Sequence, residues 1–143
     1  MQFREVIRPP LWVLAFIYFM FLSLVVAVWA ALGNRSALVA LIATTVLIIV
    51  ISIRARSHIS ITEAELVIDK AHIDKKYCGE VTVLDRDAMR LIRTRDADPA
   101  AFLAIKFWIS TGVKIAIVDD RDPTPYWLVS SKKAEELKRT LCR

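Results

Sequence analysis

At 143 residues, with 56% hydrophobic and 24% charged side chains and a mean hydropathy of +0.46, the chain is too apolar for an ordinary soluble domain unless its apolar and charged residues are segregated. They are: up to Ile53 the only charged residues are Arg4, Glu5, Arg8 and Arg35, and the net charge of +5 is otherwise carried on a mixed, solvated surface that excludes a nucleic-acid footprint. Two cysteines, Cys78 and Cys142, are too few for a disulfide framework or a zinc site and read as reduced thiols.

Leu11 to Leu32 runs without a charge. Roughly 22 helical residues rise about 33 Å, enough to cross a hydrocarbon core of about 30 Å. Ala37 to Ile53 is also uncharged, at the short end of the spanning range. Pro9 and Pro10 mark the start of the first span, and Gly33-Asn34-Arg35-Ser36 makes a minimal turn, so the two helices form an antiparallel transmembrane hairpin occupying residues 1–56. A cleavable signal peptide is the competing reading, but the apolar run exceeds an h-region of about 7–15 residues and a second span follows it. Trp12 and Trp29 fall near opposite ends of the first span and Arg54 and Arg56 follow the second, making these four the interface anchors. Arginines flank the outer ends of the hairpin while the connecting turn holds only Arg35, which predicts both termini in the cytoplasm of a two-span cell-membrane protein. The small-residue pairs Ala27/Ala31 and Ala40/Thr44 are expected to pack the hairpin on itself, with association with another membrane protein as the alternative.

Residues 57–143 read as one small, mostly β domain. His58 to Thr62 alternates polar and apolar, and Leu66 to Ile68 resumes after a polar turn, predicting a hairpin. Ala71 to Asp74 and Tyr77 to Leu84 are further strands, Gly79 marking a bulge or close approach. Asp85 to Ile92 switches to helical period, with Ala88, Met89 and Ile92 on one face and Asp85 as cap. Phe102 to Ile109 and Val113 to Val118, joined at Ser110-Thr111-Gly112, predict a second hairpin. Tyr126 to Val129 is the last strand, before a closing amphipathic helix carrying Ala134, Leu137 and Leu141 and capped by Ser130 or Ser131. The expected fold is α+β: a transmembrane hairpin followed by a small, partly open, mostly antiparallel β-barrel plugged by a C-terminal helix.

The opening Ile59-x-Ile61-Thr62-x-x-x-Leu66 and the ending Tyr126-Trp127-Leu128-Val129-Ser130, running into Lys132-Lys133-Ala134-Glu135-Glu136-Leu137, resemble the bacterial pleckstrin-homology-like (PH-like) domains that often follow paired transmembrane helices. Across nearly the whole chain, Arg8-Pro9-Pro10-Leu11-Trp12, Tyr77-Cys78-Gly79-Glu80-Val81 and Asp122-Pro123-Thr124-Pro125-Tyr126-Trp127-Leu128-Val129-Ser130 resemble an actinobacterial family of two-span membrane proteins known only as a domain of unknown function. That resemblance implies no activity. One departure is Phe107-Trp108-Ile109, which follows Lys106 where the family leads one to expect an Arg-Pro-Trp-like segment.

The residues predict no catalytic constellation, metal site or cofactor. His58 and His72 lack companions at ligand spacing, and the three glycines cannot build a phosphate loop. Asp119-Asp120-Arg121-Asp122 reads as a turn whose carboxylates cap nearby N–H groups rather than as a cation loop. Tyr126 and Trp127 must face opposite sides of their strand, one of them a candidate for a ligand groove. Lys70, Lys75 and Lys76 are candidates for contact with an anionic leaflet. The function expected is a non-enzymatic, membrane-anchored interaction module, accessory to a membrane protein complex, with the bilayer and an integral membrane protein as partners. Anionic-lipid sensing by the PH-like domain is the alternative, and a small membrane enzyme the third reading.

Overall fold

The computed structural model of the chain describes residues 2–143. It divides into two compact units: Arg8–Arg56, and a second made of the residues through Ile7 together with Ser57–Arg143.

The first unit is a pair of helices, α1 (Leu11–Leu32) and α2 (Asn34–Arg54), each long and apolar enough to cross a membrane. Pro10 in extended backbone starts α1 as its N-cap, where a missing N–H costs nothing. The expected four-residue turn shrinks to one residue. Gly33, at φ +82°, reverses the chain alone while its N–H still reaches Trp29 O at 3.0 Å, so Asn34, Arg35 and Ser36 are already helical. Tyr18 Oη and Thr45 Oγ1 hydrogen-bond across the pair at 3.2 Å. Thr44 is buried and Ala40 half-buried, whereas Ala27 and Ala31 are exposed. Only the Ala40/Thr44 pair packs the hairpin on itself.

Among the described residues the second unit holds eight strands in two four-stranded sheets, not a closed barrel. The first sheet is an antiparallel meander in the order β1-β2-β3-β4, from β1 (Phe3–Ile7), β2 (Ser57–Ile61), β3 (Glu65–Ile68) and β4 (Ala71–Asp74). The sequence reading assigned residues 3–7 to the helical hairpin. They pair instead along the full length of β2, from Phe3 opposite Ile61 to Ile7 opposite Ser57, so the helices are an insertion between two paired strands.

The second sheet runs β5-β7-β8-β6, with β5 (Cys78–Leu84), β6 (Phe102–Ala104), β7 (Gly112–Ile117) and β8 (Tyr126–Ser130). A 3₁₀ turn at Lys75–Tyr77, whose first N–H bonds Ala64 O at 2.7 Å, separates the ladders where a barrel would have joined them. The predicted hairpin of residues 102–118 does not form. β6 lies parallel to β8, Phe102 opposite Trp127, and β7 fits between β5 and β8. The chain turns at Lys106–Ile109, and the hydroxyl of Ser130 accepts the N–H of Lys106 at 3.0 Å, holding β6 away from β7. A register shift between Cys78 and Val81 marks the expected irregularity at Gly79, where a Cβ would meet Val118 Cγ2 at 2.7 Å.

Two helices complete the unit. In α3 (Arg86–Arg93), Asp85 caps as predicted, accepting Ala88 N–H at 2.8 Å. In α4 (Ala134–Leu141), the predicted serine cap is displaced: Lys133 is the N-cap residue, and Ser131 Oγ accepts its N–H at 3.0 Å. The main core joins both sheets and α4 through Phe3, Ile61, Leu66, Ile115, Val129 and Leu137. A smaller cluster of Leu84, Met89, Tyr126 and Leu128 lies on the other face of the second sheet, under α3, which is why every residue of β8 is buried.

Candidate functional site

The residues singled out from sequence separate on the structure. Trp12 and Trp29 are exposed near the two ends of α1, and Trp29 directs its indole N–H to Asn34 Oδ1 at 2.6 Å rather than leaving it free. Arg54 ends α2 and Arg56 follows it. Tyr126 and Trp127 do face opposite sides, but both are buried: Tyr126 lies in the cluster under α3, and Trp127 packs on Phe102 in the main core with ring centroids 4.5 Å apart. Neither opens on a groove.

The three lysines do not make one patch. Lys70 is exposed in the turn before β4, at the opposite end of that strand from Lys75 and Lys76. Lys75 Nζ donates to Thr140 O at 3.1 Å, fastening α4 to the end of β4. Lys76 bonds Asp74 at 3.0 Å and lies over the Tyr77 ring, partners that hold its ammonium above the ordinary lysine range. Arg121 donates to Tyr77 Oη at 2.8 Å, and the neighbouring Tyr77 and Asp119 raise its pKa.

The acidic run is the turn expected of it. Asp119 Oδ1 accepts Arg121 N–H at 3.0 Å and Asp122 Oδ1 accepts Thr124 N–H at 2.9 Å. Bonds from the Thr124 hydroxyl and N–H hold the Asp122 carboxyl below its usual range. Burial pushes the Cys78 thiol up. Among the described residues no group of three His, Cys, Asp or Glu could hold a metal ion.

A different site emerges on α3. Its inner face packs through Ala88, Met89 and Ile92, as the helical period predicted. Its other side carries Arg86, Arg90 and Arg93, four and three residues apart and therefore on one face. With Met89, Ile105 and Phe107 these arginines line an open cleft of about 520 Å³, which Thr94 and Ser110 complete. The ion pairs among the described residues are Lys76–Asp74, Arg95–Asp96, Arg121–Asp119 and Lys133–Glu136, so none neutralises the cleft. Phe107 is 66% exposed, its ring edge-on to Trp108 with centroids 4.8 Å apart. The signal was present in the sequence as Arg86-x-x-x-Arg90-x-x-Arg93, but reading the helix for its apolar face alone passed over it.

A family model described as a protein of unknown function matches residues 2–141. The chain belongs to the DUF3093 family. Its match begins in the N-terminal segment that forms β1 and ends in α4, so the inserted helices and both sheets are parts of one family domain. No curated protein matches the chain, and no solved structure does.

Proposed function

We propose that this DUF3093 chain is a non-enzymatic, membrane-anchored interaction module: the α1–α2 hairpin spans the cell membrane, both termini lie in the cytoplasm, and the β unit, a PH-like module opened into two sheets, serves a membrane protein complex. The observation that carries this reading is the pairing of β1 with β2. Ile7 and Ser57 lie opposite each other in one sheet, which supports a hairpin that enters and leaves the bilayer on the same side, as two spans require. The same pairing weighs against a cleaved leader. Removal of the first span would take β1 with it, stripping Phe3 and Ile7 from the core and baring the edge of β2. The arginines at both outer ends of the hairpin support the cytoplasmic side.

The test is extraction and labelling of the full-length protein in its native cells. It should resist alkaline carbonate and yield to detergent, and Cys142, exposed at the C-terminus, should react with an impermeant maleimide only after the cytoplasmic face is opened. A purification in mild detergent should carry a stoichiometric integral membrane protein. Labelling of Cys142 on intact cells, or a partner-free monodisperse protein at native abundance, overturns the proposal.

A further inference from the structure

We infer that the cleft beside α3 binds a phosphate-bearing ligand, its phosphate held by Arg86, Arg90 and Arg93 and an apolar portion lying against Ile105 and Phe107. The inference deepens the proposed interaction module by naming a ligand class, and rests on that reading only for the bilayer as a source of such ligands.

The arginines of α3 are charges that no acidic side chain pairs. Arg86 and Arg90 are a like-charge pair at i,i+4, which weakens a helix, and neither has an acidic partner within ion-pair distance. Arg90 and Arg93 lie in the last turn, where the helix dipole favours a cation, so ordinary helix chemistry accounts for them. It does not account for Arg86, the first residue of the helix, where the dipole opposes a cation and where Asp85 and Asp87 on either side make no ion pair with it. An anion seated among the three relieves both unfavourable terms.

The chemistry of the lining narrows the anion. All three cations are arginines, whose planar guanidinium groups present paired N–H donors matched to phosphate oxygens. Over the eight residues of the helix they extend about 10 Å, so they can surround one phosphate or bracket two. Ser110 adds a hydroxyl with no partner among the side-chain hydrogen bonds of the described residues, while Thr94 already spends its proton on Arg90 O at 2.8 Å and offers only acceptors. Against this polar wall stand Ile105 and the exposed ring of Phe107. A volume of about 520 Å³ lies within the usual range for small-ligand sites. Arginines facing an exposed aromatic suit the phosphate and proximal apolar part of an amphiphile. The same arginines would also take a free phosphate.

The experiment is calorimetric titration of full-length protein in phosphatidylcholine nanodiscs with inorganic pyrophosphate, repeated in discs containing phosphatidic acid. Saturable binding is expected. Arg86→Gln, Arg90→Gln and Arg93→Gln should each weaken it about fivefold, and the triple variant about a hundredfold, the effect of roughly one surface charge per substitution. Lys133→Gln combined with Lys132→Gln and Lys138→Gln removes the same charge elsewhere and should leave binding unchanged. Phosphatidic acid in the disc should raise the apparent Kd for pyrophosphate by competition, and Phe107→Ser should abolish that competition while sparing pyrophosphate itself. Competition assigns the site to a lipid headgroup, and saturable binding without it assigns the site to free phosphate. Absence of saturable binding in phosphatidylcholine discs, or equal weakening by the lysine control, overturns the inference. A chain that stays in solution without discs would refute the membrane reading instead, and the titration could still be made.

Discussion

Glu5 is a buried carboxylate with no cationic partner, and replacing it with methionine isolates what it contributes. On β1 it points inward between Phe3 and Ile7, where its two oxygens accept from the Ser131 hydroxyl and from Lys132 N–H, the latter at 2.9 Å. Both donors immediately precede α4, which has no side-chain cap of its own. Glu5→Met keeps most of the volume but removes both acceptors. Ser131 is fully buried, and its oxygen already accepts from Lys133 N–H, so its proton is left without a partner. Such an orphaned donor costs about 1–3 kcal/mol, and loss of the charge-assisted bond to Lys132 adds about 1 kcal/mol, less what is regained by not burying a carboxylate. A net loss of about 2–3 kcal/mol corresponds to a fall in Tm of roughly 8–24 °C for a domain of this size. The assay is thermal unfolding of the full-length protein followed by near-ultraviolet circular dichroism of Trp108 and Trp127, with amide exchange at residues 131–133 as the local readout. A Tm within about 2 °C of the parent with unchanged exchange at those amides would refute the reasoning.

Gly112→Ala should destabilise the second sheet by about 1–3 kcal/mol, because the new Cβ would collide with Val129 O and approach Met89 Cε at 2.9 Å; a Tm equal to the parent's would show that the strands have room there. Chain 57–143 without β1 should aggregate along the bared edge of β2, whereas joining Ile7 to Ser57 through Asn-Gly, in place of residues 8–56, should give a soluble monomer; equal behaviour in gel filtration would mean that β1 is dispensable. In alkylation at pH 8 the exposed Cys142 should react well before Cys78, whose half-buried thiol is pushed up by desolvation; equal rates would contradict that burial. Because the folded state lowers the Asp122 carboxyl, its contribution to stability is present above the unfolded pKa and lost as pH falls through the folded one, so the parent and Asp122→Asn should converge in Tm in acid and diverge towards neutrality.

What was legible in the sequence was whatever is decided within a few residues. The ends of α1 follow from Pro10 and Gly33, the Asp85 cap from one side chain reaching three residues ahead, and the acidic turn from carboxylates reaching two. The strands β2, β3 and β4 show because their inward residues alternate. β1 carries the same alternation, but one of its inward positions is an acid, which reads as solvent-facing until Ser131 and Lys132 are known to lie against it. The parallel pairing of β6 with β8 was hidden for the same reason: it is fixed by contacts such as Lys106 with Ser130, and a nearby turn signal at Ser110-Thr111-Gly112 pointed to the wrong neighbour.

The candidate site failed to show for a different reason, since all three of its arginines are on one short helix and no distant contact was needed to find them. A basic residue in a sequence does not show whether folding gives it a partner, and availability is settled by that partner. Lys75 and Lys76 are as basic in sequence as the arginines of α3, yet one holds α4 and the other is bound by Asp74 and Tyr77. The arginines of α3 differ because the acids beside them are occupied elsewhere or out of reach. Asp85 faces the helix N–H groups, and Asp87 makes no ion pair with Arg90 three residues on. Charge that folding leaves unanswered on a packed, capped helix is what an external anion can use, and α3 differs from the other exposed basic groups in setting three arginines on one face beside an apolar wall.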